Sequence, residues 1–285
     1  MSPPDLDRMI SRVEDLPTLP RTVLKITELV NDPKSSARDL ARIITDDQVL
    51  AARLLKLVNS SFYGFPQRIS TITGAIVLLG FDAIRNLLLT TSVFDLFSNR
   101  RKISLIRQEQ FWDHSLGCAV GAKVIGNYLR YDKVEELFVS GLLHDIGKIV
   151  EMIFIPDEFK NINQLIRDDN ILMITAEEKI LGYGHPLVGK LLAERWNLPP
   201  KLINVIFHHH RPSEARQFLL EAAIVHLADI LCRSLNIGYG GDNKMPALDK
   251  VAWDIMRMKP EALESIMGEI KREFDDISLF ITYTP

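Results

Sequence analysis

Cysteine is almost missing from this chain of 285 residues, with Cys118 and Cys232 the two present. They form no Cys-x-x-Cys pair and no ladder of spacings, so neither a disulfide scaffold nor a thiolate zinc site is implied, and a reducing cytoplasmic setting is expected. A surplus of one charge is missing too. Against 34 basic residues stand 37 acidic ones, a net charge of -3, which gives no global pull toward nucleic acid or an anionic membrane. No apolar run has the length to cross a bilayer, and Met1-Ser2-Pro3-Pro4-Asp5 does not read as a secretory signal. Internal repeats and low-complexity stretches are lacking. So are extended alternating segments, the mark of half-buried strands.

What is there is helix. A hydrophobic content of 47% is ample for a core, and apolar residues recur at spacings of three and four, as in Val23, Ile26, Leu29, Val30 and in Leu50, Leu54, Leu57, Val58. The expected class is all-α. Asn31-Asp32-Pro33 stops a first helix, because proline disfavours helical geometry before it. Ser36 with Asp39, Thr45 with Gln48 and Thr175 with Glu178 each read as a capping pair. Asn59 to Pro66 reads as a turn, Ile72 to Leu79 as a helix closed by Gly80, and Ala83 to about Phe97 as a longer one. Ser98-Asn99-Arg100-Arg101-Lys102 is the best internal boundary, read as a solvated connector. Three regions are expected: 1–100, a helical N-terminal part; 101–240, a second helical part; and 241–285, a C-terminal helical extension.

In the second part the informative stretch is His144-Asp145, an imidazole beside a carboxylate in an apolar setting. Polar groups are costly to bury without partners. Adjacent side chains on a straight helix diverge by about 100 degrees, so both can serve one small site only where the helix ends or where they bridge ions. Gly147 offers such an exit. Helices from Arg107 to near Arg130, from Val134 to His144, from Pro199-Pro200 to His208-His209-His210 and from Glu221 to Ser234 bring further donors, and Pro186 opens a helix that leaves His185 just outside it. His114, His144, Asp145, His185, His209, His210 and Asp229 together are enough for two metal ions. Nitrogen and oxygen donors suit iron, manganese, zinc or magnesium. Two ions about 3.5 to 4 Å apart would polarise a phosphoryl oxygen.

These residues resemble the HD superfamily of metal-dependent phosphohydrolases, in which a His, then His-Asp, then a later Asp hold the metal. His114, His144-Asp145 and Asp229 match that order, while His185-Pro186-x-x-Gly189 and His209-His210 look like the extra ligands of the HD-GYP branch. Glu178-x-x-Leu181-Gly182 fits that branch as well. So does Lys148, whose counterpart there contacts substrate phosphate. Two departures stand out. Gln110 replaces a carboxylate that serves a third metal in some HD-GYP enzymes, which implies two ions. The Gly-Tyr-Pro loop is missing, because His209-His210 runs into Arg211-Pro212.

Leu16-Pro17-x-Leu19-Pro20, Ile44-x-Asp46-Asp47-x-x-Leu50, Leu57 to Gly64, and Ala75-Ile76 with Leu78-Leu79-Gly80 resemble the HDOD family, over roughly residues 8 to 235. The resemblance implies an N-terminal helical bundle packed on an HD-like helical bundle and a regulatory role in bacterial signalling. Many such proteins have lost the metal ligands; this chain has kept them. Three functions follow as alternatives. One is a regulatory protein with a binuclear centre for iron or manganese, acting on signalling partners. Another is a phosphohydrolase on a nucleotide or phosphodiester, with Asp145 and Lys148 in the catalytic site. The last is a metal-free scaffold whose histidines merely pack. His208 and His226 are expected to pack or to support the ligands. Lys148 is open between anchoring a phosphate and lying solvated at a helix C-terminus, and Phe62 and Tyr63 are expected in the core.

Overall fold

The computed structural model describes residues 34–59, 67–85 and 108–282, together with positions 23, 25, 26, 28, 29, 65, 87 and 88. The first helix's stop at Asn31-Asp32-Pro33, Phe62 and Tyr63 in the turn, the far end of the helix expected to reach Phe97, and the Ser98 to Lys102 boundary all lie outside these residues. Among the described residues every regular element is a helix. The chain divides into two compact units, Thr18–Asn99 with Lys271–Pro285, and Arg100–Ile270 with Met1–Pro17.

In the Thr18–Asn99 unit, α1 (Ala37–Thr45) begins at a reciprocal cap. The Asp39 amide donates to Ser36 Oγ at 3.3 Å, and the Ser36 amide donates to the Asp39 carboxylate at 3.0 Å. The second expected cap is not made. Thr45 spends its hydroxyl on the Ala41 carbonyl inside α1, at 2.7 Å, and Asp47 starts α2 (Gln48–Val58) by accepting the Leu50 amide. Thr71 caps α3 (Ile72–Leu79), and Gly80 ends it at φ +85°, a conformation that favours glycine. Asn59 joins the end of α2 to the approach to α3, bonding the Leu55 carbonyl and both backbone groups of Ile69. Leu40, Ile44, Leu54, Val58, Ala75, Ile84 and Leu87 form an aliphatic core with none of their surface left to water beyond a trace. Cutting any of the larger ones to Ala would cost about 2–5 kcal/mol.

The other unit is built on α4 (Gln108–Tyr128) and α5 (Val134–Leu143), with α11 (Leu219–Ser234) against both. From Phe111 to Gly126 only Asp113 escapes burial, so α4 is enclosed on all sides and carries His114, Ser115 and Lys123 inside with its apolar residues. Between α5 and α11 run α6 (Ile146–Phe154), α7 (Pro156–Asp169), α8 (Met173–Leu181), α9 (His185–Arg195) and α10 (Pro200–His208). The short helix α12 (Lys250–Met256) follows, and then α13 (Ala262–Thr282), 21 residues long, whose part up to Ile270 belongs to this unit. Thr175 does not cap α8, which starts two residues earlier after Leu172 with no side-chain cap. Lys201 fastens α10 to its neighbours, donating to Glu136 at 2.7 Å and to the Tyr131 hydroxyl at 2.9 Å. Among the described residues no helix is long and apolar enough to cross a membrane.

Candidate metal centre

The site starts from a break in the chain. α5 ends at His144, and Asp145 sits at φ -97°, ψ 11° before α6 resumes at Ile146. That bend lets both side chains of the pair turn to one point, with His144 Nε2 3.2 Å from Asp145 Oδ2. Gly147 is not the exit expected of it, because it lies within α6. Its lack of a side chain serves a different purpose: a Cβ there would sit 2.0 Å from the His185 carbonyl oxygen. Gly141 does the same toward α4, where a Cβ would meet the Cys118 carbonyl at 2.5 Å. These two glycines press the His-Asp turn between the helix that carries His114 and the one that carries His185.

His185 is the first residue of α9 rather than lying just outside it. His209 caps the end of α10 with His210 beside it, and Asp229 projects from α11. All seven expected donors are brought together, and they fall into two groups. One holds Asp145, His185, His209 and His210; the other holds His114, His144 and Asp229 together with Cys118. Asp145 reaches both, with Oδ1 3.2 Å from His185 Nε2 and 3.6 Å from His209 Nε2, and Oδ2 3.6 Å from His114 Nε2.

The ring orientations follow from their outer partners. Nδ1 of His144 lies 2.6 Å from the Gly141 carbonyl, Nδ1 of His209 2.8 Å from the Ile206 carbonyl, and Nδ1 of His185 2.7 Å from Glu177. Carbonyls and carboxylates only accept, so each Nδ1 carries a proton and each ring turns its Nε2 inward. There three ring nitrogens crowd together. His185 Nε2 lies 3.1 Å from His210 Nε2 and 3.4 Å from His209 Nε2. His144 Nε2, Asp145 Oδ1 and Asp229 Oδ2 are buried without a hydrogen-bond partner. Buried polar atoms without partners are a cost that a cation removes, and histidines held by carbonyls and a carboxylate are the usual surroundings of metal ligands. The donor set therefore fits divalent metal ions.

Charge in the site is locally balanced. Lys148, 1% exposed, lies in the first turn of α6 and is not solvated; its ammonium donates to Asp145 Oδ2 at 2.6 Å and to the Gly240 carbonyl at 2.7 Å. Arg233 donates to Asp229 at 2.8 Å and to Asp242 at 3.0 Å. Burial would raise both carboxyls, yet His144 and Lys148 hold Asp145, and Arg233 and His114 hold Asp229, well below the usual carboxylate range. Burial pushes His209 down to about 4. For His114 burial acts in the same sense, but the Cys118 sulfur and Asp229 outweigh it and lift the ring to about 9.

Residues 238–242 cross the site as a strap. The Tyr239 amide donates to the Gln110 carbonyl, Gly240 gives its carbonyl to Lys148, and Asp242 accepts the Met173 amide. A Cβ on Gly240 would lie 3.0 Å from His114 Nε2. Gln110 itself is exposed and contributes its backbone, not its side chain.

Several supporting residues escaped the sequence reading. Glu177, not Glu178, faces the centre; Glu178 turns outward to Arg211. Behind Glu177 lies Glu151, whose carboxyl burial and the Glu177 charge drive well above the ordinary range. His226, by contrast, was expected to pack or to support the ligands, and it uses both ring nitrogens, Nδ1 at 2.8 Å from the His209 carbonyl and Nε2 accepting the Asp249 amide at 3.0 Å, which makes it a brace rather than a ligand. His208 packs its ring against Phe207, half-buried and away from the donors. Arg233 was findable, one helical turn after Asp229. Asp242 gave no local signal.

With that geometry in hand, comparison with known proteins places the chain. Residues 16–212 match the HDOD domain. The chain belongs to the HDOD family. A solved HDOD domain protein of unknown function from Geobacter sulfurreducens is 29% identical, with a TM-score of 0.72 over 98% of this chain and 94% of that one. Similar in fold, at 21% identity and a TM-score of 0.76, is a "Putative signal transduction protein" from Marinobacter aquaeolei VT8, covering 98% of this chain and 62% of that one. A "Putative phosphohydrolase" from Shewanella amazonensis SB2B, 22% identical, has a TM-score of 0.75 over 96% of this chain and 97% of that one. An uncharacterized protein of Treponema pallidum is 28% identical over 230 residues, which are 79% of this chain and 44% of that protein, so the chain spans less than half of that relative's length.

Proposed function

We propose that this chain is a regulatory HDOD protein that holds two divalent metal ions, iron or manganese first among them with zinc or magnesium as substitutes, and acts on signalling partners in the cytoplasm. His114, His144, Asp145, His185, His209, His210 and Asp229 are the ligands, with Asp145 shared. The observation that carries the regulatory reading is closure. His114, His144, Asp145, His185, His209 and Asp229 are each at most 1% exposed, and Lys148, the cation that could meet a phosphate, is already engaged by Asp145 and by the Gly240 carbonyl of the strap. Such a centre is built to hold ions and to couple their presence to the packing of six helices.

A second reading has its own support. The order and spacing of the donors are those of the HD hydrolases, and a pair of ions here would supply the polarisation that a phosphoryl group needs for attack by water. In that reading Lys148 leaves Gly240 and steadies the phosphate of a nucleotide or phosphodiester, while Asp145 holds both ions. A turnover assay separates the two. Metal-loaded protein is expected to stay silent with cyclic dinucleotides, nucleoside triphosphates and generic phosphodiesters; multiple turnovers on any of them, lost in Asp145→Ala, would replace the regulatory reading by the enzymatic one.

A further inference from the structure

We infer that Cys118 is an additional metal ligand and that the two metal positions are chemically unlike, one a mixed imidazole, carboxylate and thiolate site and the other an imidazole and carboxylate site. This rests on the metal reading above and deepens it. Two cysteines without a spacing pattern carry no such message in sequence. The fold supplies it, because Cys118 follows His114 by four residues on α4, so both side chains leave the same face of one helix. Cys118 Sγ lies 3.7 Å from His114 Nε2, and His114 Nε2 lies 3.2 Å from Asp229 Oδ1. A tetrahedral ion with metal–nitrogen and metal–oxygen bonds of about 2.0 to 2.2 Å and a metal–sulfur bond of about 2.3 Å needs donor separations of about 3.4 to 3.6 Å. The observed pairs bracket those edges.

The rest of the group points to a ligand independently of the thiol. His144 and Asp229 each offer an atom to the same cluster of donors within 4.8 Å of one another; both residues are at most 1% exposed, and His144 Nε2 and Asp229 Oδ2 have no hydrogen-bond partner. Cys118 is wholly buried, with the Cys232 thiol as its other polar neighbour. The opposite position, around His185, His209 and His210, has no sulfur among its donors. Thiolate favours zinc and iron over manganese and magnesium, so the position at His114 and Cys118 is the one that selects zinc or iron, whereas the other accepts harder ions.

Cobalt(II) is the probe, since a thiolate bound to it gives an intense near-ultraviolet charge-transfer band that nitrogen and oxygen ligands do not give. The metal-free full-length protein is titrated anaerobically with cobalt chloride. We expect two ions bound, one of them with the band. Cys118→Ser is expected to lose the band and keep at least one ion, and Cys232→Ser is expected to keep the band. Two ions bound to wild-type protein without the band would overturn this inference and leave the metal reading standing. A band that survives in Cys118→Ser and vanishes in Cys232→Ser would overturn it as well. No cobalt bound at all would overturn both. The wild-type spectrum decides even where a variant fails to fold.

Discussion

The two units treat burial in opposite ways. Among the described residues of Thr18–Asn99 the buried positions are aliphatic, and Arg85, with 9% of its surface exposed, is the one charged group near that class. In Arg100–Ile270 the same class holds His114, His144, Asp145, Lys148, Glu151, Glu177, His185, His209, His226 and Asp229. Apolar burial stabilises a fold at about 25 cal/mol per Å² and needs no explanation beyond that. Buried charge has no such return; a well-packed apolar replacement often does as well or better. A unit that nevertheless gathers this many polar groups around one carboxylate is organised for a ligand, and the other for stability.

That contrast can be broken most sharply at its centre. Asp145→Ala is expected to reduce metal content from two ions to near none, because Asp145 faces both groups of donors, whereas His208→Ala is expected to leave it unchanged; elemental analysis of the two variants reads this, and equal losses would show the wrong histidines were chosen. Next in size is Lys148→Met. It strands the Asp145 carboxylate in the interior, which for a broken buried pair costs about 3–5 kcal/mol. Urea unfolding of metal-free protein measures that loss, and metal is expected to recover part of it.

Smaller effects sharpen the comparison. Gly147→Ala drives a methyl group into the His185 backbone, with an expected cost of at least about 1–3 kcal/mol and a weaker metal site, while Gly80→Ala in the other unit meets no neighbour and is expected to cost backbone strain alone. His226→Ala removes the brace on His209 and is expected to weaken metal binding about 10–100-fold without changing the number of ions at saturation. Acid titration has a definite sign. His209 is held neutral down to about pH 4 in the fold, against about 6.5 when unfolded, so the unfolded chain binds more protons between those values and stability of the metal-free protein falls as pH drops through that window. His114, lifted to about 9, acts in reverse, contributing stability below about pH 6.5 that is lost as pH rises through 9. Arg211→Ala, which removes the surface pair with Glu178, is expected to change stability by no more than about 1 kcal/mol.

How far the sequence was readable depends on the reach of each interaction. The all-helical class, the cap at Ser36, the stop at Gly80 and the helices that deliver the donors rest on near neighbours in the chain, and these were legible. So was the convergence of His114, His144, Asp145, His185, His209, His210 and Asp229. Thr45 and Thr175 misled because a hydroxyl three residues before a polar side chain looks the same inside a helix as at its start. Glu177 and Glu178 differ by one step, about 100 degrees around the helix, and the inward one is marked only by its bonds to His185, eight residues on. Lys148 bonding to Gly240, and Asp242 to Met173, join segments far apart in the chain, and no local pattern announces them. Cys118 was set aside for want of a second nearby cysteine, although its partner in the site is a histidine one turn away.

The most direct measurement is the metal content of the full-length protein purified under anaerobic conditions. The account predicts two equivalents of divalent metal per chain, removed by chelation with a fall in melting temperature and restored together with it. Protein that carries no metal, takes up none of iron, manganese or zinc when offered, and melts at the same temperature with and without chelator would contradict it.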